Sequence, residues 1–124
     1  MGKFVMGPTK NGGFRFNLKA GNGEVIATSE SYTTDTACKN GIESLRKNAV
    51  EAKLEDQTLE NYEQLTNPKF EVYKDKAGEF RFRLRARNGE IICHGEGYKA
   101  KDSCLNGIES IRKNAPDAEV VVEE

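Results

Sequence analysis

Phe14-Arg15-Phe16-Asn17-Leu18-Lys19-Ala20-Gly21-Asn22-Gly23-Glu24 decides the fold, because the chain carries it twice. Phe80-Arg81-Phe82-Arg83-Leu84-Arg85-Ala86-Arg87-Asn88-Gly89-Glu90 follows 66 positions later. Phe14, Phe16, Leu18 and Ala20 alternate with Arg15, Asn17 and Lys19. Period-2 alternation puts apolar residues on one face of a strand and polar residues on the other. Asn22-Gly23 and Asn88-Gly89 then predict a two-residue hairpin loop with positive φ at both positions. A third strand is expected over Glu24–Thr28 and Glu90–His94. Upstream, a short strand is expected over Lys3–Gly7 and Lys69–Lys74, with turns at Pro8–Gly13 and Asp75–Gly78.

The self-match extends without a gap from Phe4/Phe70 to Thr58/Glu124. Its densest block is Asn40-Gly41-Ile42-Glu43-Ser44 against Asn106-Gly107-Ile108-Glu109-Ser110, continued by Arg-Lys-Asn-Ala in both copies. This block reads as a helix. Cys38, Ile42, Leu45 and Ala49 form one apolar stripe, and Cys104, Ile108, Ile111 and Ala115 repeat it. Glu43→Lys47 and Glu109→Lys113 are expected as i,i+4 ion pairs. Gly41 and Gly107 cost a helix about 1 kcal/mol each relative to Ala, so close approach of the sheet or the other helix is expected there. A last strand closes each copy at Ala52–Glu55 and Ala118–Val122. Residues 1–58 are the first repeat, 59–67 a polar linker and 68–124 the second repeat. One repeat alone buries too little surface to be stable, so both should form one unit.

The expected fold is α+β: two tandem β-β-β-α-β repeats sharing one mainly antiparallel sheet, two helices on one face. Its predicted core is Phe14, Phe16, Leu18, Ile42, Leu45, Phe80, Phe82, Leu84, Ile108 and Ile111.

Phe-Arg-Phe-x-Leu-[Lys/Arg]-Ala-x-Asn-Gly-Glu, then Glu-x-Tyr, then Asn-Gly-Ile-Glu-Ser, present in both copies, resemble the YegP-like family of small bacterial and archaeal proteins. The resemblance implies that the two repeats exchange their last strands. It implies no activity, and it brings no catalytic residue.

Composition narrows the function classes. The 124 residues carry 19 Lys+Arg against 20 Asp+Glu, a net charge of −1, and only 36% are hydrophobic. A near-neutral chain has no general pull toward nucleic acid, and no run approaches the roughly 18 apolar residues of a membrane span. Met1–Met6 holds no apolar stretch of a secretory signal. Three cysteines without a Cys-x-x-Cys read as reduced thiols and a cytoplasmic location. Cys38 and Cys104 lie on the helical stripes, where a bridge between them is conceivable on sequence alone. His94, the only histidine, has no cysteine cluster or second histidine to make a zinc site. No metal and no cofactor is expected. Gly95-Glu96-Gly97-Tyr98-Lys99-Ala100 matches a dinucleotide fingerprint, but the first copy has Ser29-Glu30-Ser31 there and no parallel βαβ unit surrounds it. Tyr32 and Tyr98 are expected to pack under the strand-to-helix turn with their hydroxyls wet.

The remaining candidate is basic. Arg81, Arg83, Arg85 and Arg87 alternate along one strand, with Arg15 and Lys19 in the first copy. Pairing the hairpins across two-residue loops sets Arg15 against Glu30, Arg81 against Glu96 and Arg87 against Glu90, ordinary cross-strand chemistry. On that map Arg83, Arg85 and Lys19 face no carboxylate. Arg15, Lys19, Arg83 and Arg85 are therefore the candidate anion or partner surface. Three functions remain: a non-enzymatic binding or protein-interaction module; nucleic-acid or anion binding through the basic outer face; and an enzyme with a site where the repeats meet. The first is favoured, with an unknown protein partner, no membrane, and a monomer built as a covalent pseudo-dimer.

Overall fold

The computed structural model describes residues 2–123. Its elements are β1 (Lys3–Pro8), β2 (Phe14–Lys19), β3 (Val25–Ser29), α1 (Asp35–Glu51) and β4 (Lys53–Asp56) in the first repeat. The second holds β5 (Lys69–Lys74), β6 (Phe80–Arg85), β7 (Ile91–His94), α2 (Lys101–Asn114) and β8 (Glu119–Val122), with a short 3-10 turn at Ala115–Asp117. One eight-stranded sheet runs in the order β4-β5-β6-β7-β3-β2-β1-β8. Both end pairs, β4 with β5 and β1 with β8, are parallel; the other five ladders are antiparallel. Each repeat thus lends its last strand to the other, as the family resemblance implied.

The exchange is fastened from the helices. Arg46 of α1 donates through Nη2 to the Ala118 carbonyl just before β8, at 2.7 Å. Arg112 of α2 donates to the Ala52 carbonyl just before β4, at 2.8 Å. Each guanidinium also lies 5.3 Å from a ring centroid, Phe4 for Arg46 and Phe70 for Arg112, within cation–π range. Glu43 and Glu109 orient these arginines through i,i+3 contacts at 3.4 and 2.6 Å. The expected i,i+4 partners, Lys47 and Lys113, form no ion pair among the described residues. The arginine wins because it lies against the other repeat, where a carbonyl and a ring hold it.

Both helices cover one face of the sheet and share one core. Eight of the ten predicted core residues are fully or almost fully buried; Phe14 and Phe80 are only partly so. Phe4, Met6, Phe70 and Val72 are buried to 1% exposure or less and were missing from the prediction. They lie on β1 and β5, which are edge strands in a single repeat and become interior strands once the exchanged strand is added. The hairpin loops also differ from expectation. Only Gly23 and Gly89 have positive φ, at 87° and 89°. Asn22 and Asn88 instead accept the N–H of Glu24 and Glu90 through Oδ1, both at 3.0 Å. The ladders shift by one residue at Leu18/Lys19 and Leu84/Arg85. Ala20 and Ala86 pair with Glu24 and Glu90 around three-residue loops that end in glycine, the next commonest hairpin solution; the register shift is a separate bulge at Ile26 of β3 and Ile92 of β7.

The mid-helix glycines make room for tyrosines. A Cβ on Gly41 would collide with the Tyr32 hydroxyl and ring, and one on Gly107 with the Tyr98 hydroxyl. Tyr32 in turn stacks on Phe16, with ring centroids 6.4 Å apart. Gly95 is small for a similar reason, since the Phe82 ring lies against it; its N–H bonds the Phe82 carbonyl at 3.0 Å, not a ligand. All three cysteines are free and buried, so Cys38 and Cys104 do not form a bridge. Burial pushes the Cys93 thiol up to about 12 and the Cys104 thiol to about 11, which removes thiolate reactivity at neutral pH.

Candidate functional site

The outer face of the sheet, away from the helices, carries the candidate residues, and the duplication allows one half to be read against the other. In the second repeat Lys69, Glu71 and Tyr73 lie opposite Arg85, Arg83 and Arg81 on this face. Glu71 is buried and takes both Arg83 Nε, at 2.5 Å, and Arg85 Nε, at 2.8 Å. Lys69 Nζ bridges Glu71 at 3.3 Å and the buried Glu55 of β4 at 2.8 Å. Glu55 also accepts the Leu65 backbone N–H and the Gln57 amide, both at 2.7 Å, so the linker is tied down over it. Arg83 lies 4.5 Å over the Tyr73 ring, and Arg81 Nε donates to Asp75 at 2.6 Å. Arg87 is not on this face; it reaches Glu51 at the end of α1, at 2.5 Å.

These contacts correct the sequence map. Arg83 and Arg85 do have an acidic partner, and it comes from β5 rather than across the β6–β7 hairpin. Arg81 pairs with Asp75 instead of Glu96, and Arg87 with Glu51 instead of Glu90. A strand has two neighbours, and the map considered one. The signal was present in the sequence: Glu71 alternates with Phe70 and Val72, which fixes it on the outer face one strand from the arginines.

In the first repeat the equivalent positions are Lys3, Val5 and Gly7 opposite Lys19, Asn17 and Arg15. Val5 replaces Glu71, Gly7 replaces Tyr73, and Val121 on β8 stands where β4 has Glu55. The carboxylates and the tyrosine that close the second half are therefore missing from the first. Arg15 is exposed, and neither it nor Lys19 forms an ion pair among the described residues. Asn17 is engaged by Thr28, whose hydroxyl donates to it at 2.9 Å. Beside Arg15 lies a concavity of about 520 Å³, lined also by Gly7, Thr9, Lys10, Asn11, Asn17 and Glu123. The four candidate cations are thus split: Arg83 and Arg85 are spent on Glu71, while Arg15 and Lys19 remain available.

The electrostatics agree. Burial opposes ionisation of Glu71, but hydrogen bonds and charge from Arg83 and Arg85 outweigh it and hold its carboxyl down at about 2. Glu55 is likewise lowered against its burial, by Lys69, Gln57 and the Leu65 N–H. A carboxylate whose folded pKa lies below its unfolded value stabilises the fold above the unfolded value. That contribution is lost as pH falls through the folded one. Urea denaturation at a series of pH values should therefore show stability declining from about pH 5 toward pH 2, with Glu71→Gln flattening the decline. An unchanged slope in Glu71→Gln would show that the network is not its source.

Among the described residues no group of three or more His, Cys, Asp or Glu lies together in a metal-holding arrangement. No described helix is long and apolar enough to cross a membrane. His94 sits on the outer face between Thr28 and Arg83.

Comparison with known proteins supports the duplicated architecture. The model of a domain of unknown function, DUF1508, matches residues 9–56 and again 75–121. The chain belongs to the DUF1508 family. A UPF0339 protein of Pseudomonas aeruginosa is 34% identical over 116 residues, covering 94% of this chain and 92% of its own. The solution structure of YegP from E. coli, described as a protein of unknown function, superposes with a TM-score of 0.80 at 33% identity, covering 98% of this chain and 92% of that one. A UPF0339 protein of Agrobacterium fabrum is 74% identical over 53 residues, which are 43% of this chain but 86% of its own. One DUF1508 unit is thus the size of a whole relative, and this chain joins two. The relatives are themselves uncharacterised, and the two DUF1508 halves of this chain differ most on the outer sheet face.

Proposed function

We propose that the chain is a non-enzymatic interaction module that docks an acidic segment of a protein partner on the outer face of its first repeat, with Arg15 and Lys19 as the contacting cations. One observation carries this reading: the same sheet face is closed by Glu71, Glu55, Tyr73 and the linker in one repeat, and left open in the other around a concavity lined by Arg15, Lys10 and Glu123, with Lys19 further along the same strand face. The site is shallow and polar, which suits a segment laid across a sheet better than a buried reacting group. Where the repeats meet, β3 and β7 pair Thr28 with His94 and Ser29 with Cys93, and the buried Cys93 thiol is held protonated; neither feature offers a nucleophile with a base. Three reduced thiols support a cytoplasmic location.

An acidic peptide, such as a labelled Glu/Asp-rich dodecamer, is expected to bind with an affinity that falls steeply with salt. Arg15→Glu with Lys19→Glu should weaken that binding at least about tenfold, the usual order for reversing two contacting charges, while leaving the denaturation midpoint within experimental scatter. Equal binding by the double variant would overturn the assignment. Preferential binding of single-stranded DNA over the peptide at physiological salt would favour the nucleic-acid reading of the same face.

A further inference from the structure

The helix flanks that border the hairpin loops hold a second, independent feature. Several positions exposed on the first helix differ between copies: Asp35 against Lys101, Thr36 against Asp102, Lys39 against Leu105. Asn40/Asn106, Glu43/Glu109 and Lys47/Lys113 are exposed and identical. The glutamates position the clamping arginines. Neither Asn40 nor Asn106 side chain makes a hydrogen bond among the described residues, and Asn is a poor residue for a helix interior.

The sheet brings each of these asparagines to the hairpin tip of the other repeat. Asn40, Ser44 and Tyr32 form one wall of a groove of about 250 Å³ whose opposite wall is Ala86, Asn88 and Glu90. Asn106, Ser110 and Glu109 face Ala20 and Asn22 across a groove of about 530 Å³. The two grooves are related by the pseudo-twofold axis between β3 and β7. Four positions are common to both, and all four carry the same residue: Asn40/Asn106, Ser44/Ser110, Ala86/Ala20 and Asn88/Asn22.

Their hydrogen-bonding capacity is directed outward. Asn48 Nδ2 donates to Ser44 Oγ at 3.1 Å, and Asn114 does the same to Ser110; with that lone pair used, each serine hydroxyl is left to donate. Asn88 and Asn22 use Oδ1 inside their own turns, which leaves their amide NH₂ groups as donors. Asn40 and Asn106 offer both a donor and an acceptor. Glu90 borders one groove, and Glu109 with Lys113 the other, so neither groove carries a net positive charge and each offers a carboxylate that accepts from hydroxyls. Neutral, closely spaced groups that both donate and accept match such a surface.

We infer that the two grooves are equivalent binding sites for a neutral polyhydroxylated ligand, a saccharide unit, two per chain. Two matched sites on one rigid body would also engage a repeating glycan bivalently.

The test is an NMR titration of the full chain with maltose, cellobiose and chitobiose at tens of millimolar, with inorganic phosphate and a neutral Gly/Ser tripeptide as controls. The side-chain amides of Asn22, Asn40, Asn88 and Asn106 should shift together with one or more of the disaccharides, fitting two sites. Asn40→Ala should abolish the shift of Asn88 and leave those of Asn22 and Asn106, halving the stoichiometry; far-UV CD should be unchanged, since Ala is the better helix former. No shift with any disaccharide, shifts that persist in Asn40→Ala with Asn106→Ala, or shifts with the tripeptide alone would each overturn the inference.

Discussion

Reversing Arg83 and Arg85 to Glu together is expected to lower the stability of the protein by about 3 kcal/mol or more, the scale of breaking a buried ion pair from one side. Glu71 is the reason. Its side chain is 6% exposed, and both arginine Nε groups donate to the same oxygen. Removing both donors leaves a buried carboxylate held by Lys69 alone, at 3.3 Å, and adds two like charges beside it. Desolvation that the arginines had offset is then uncompensated. The first repeat supplies the rescue: Val5 occupies the equivalent site beside Asn17. Adding Glu71→Val to the reversed pair should recover much of the loss, because replacing a buried charge by a well-packed apolar side chain is often neutral or better. Urea denaturation of the three proteins measures this. A reversed pair as stable as the parent would mean that the network holds nothing.

The second large effect concerns the exchanged strands. Residues 1–58 expressed alone are expected to be dimeric when folded and unfolded when monomeric. In the full chain β4 pairs only with β5, and β1 pairs on its outer side with β8. A lone repeat would leave β4 unpartnered and Phe4 and Met6 at an uncovered edge. It would also lose Arg112 from the Ala52 carbonyl. A second copy can supply the missing β5-like strand, since Phe70 and Phe4 occupy equivalent places. Sedimentation across a concentration series, read alongside far-UV CD, distinguishes the outcomes. Folded secondary structure in a monomer at micromolar concentration would contradict the account, whereas a melting temperature rising with concentration supports it.

Much of this was legible in the sequence for a physical reason: strand alternation, an Asn-Gly turn and a helical stripe are local, and duplication doubled each signal. What failed was non-local. Phe4 and Phe70 became core residues because a strand distant in sequence covers them. Glu71 became the partner of Arg83 because β5, not only β7, lies beside β6. Gly41 was expected to mark a close approach, and it does, but only the fold identifies Tyr32 as the group that approaches. The three-residue hairpin loop came from Asn88 capping its own turn rather than adopting positive φ, a choice the dipeptide alone leaves open. The candidate surface suffered most, because its four cations were chosen without knowing which carboxylates their strands would meet. Once those were placed, Arg83 and Arg85 fell on the closed half and Arg15 and Lys19 on the open one.

The arginine Nε–H signals in a nitrogen-correlated NMR spectrum report directly on that division between a closed and an open half. Arg83 and Arg85, hydrogen-bonded to Glu71, should give sharp, slowly exchanging Nε–H resonances in the free protein, while Arg15 should exchange fast. On addition of the acidic peptide the Arg15 resonance should sharpen and shift, with Arg83 and Arg85 unmoved. Fast exchange at Arg83 and Arg85, or a peptide that moves them and leaves Arg15 untouched, would contradict the claim that one repeat has closed the face the other keeps open.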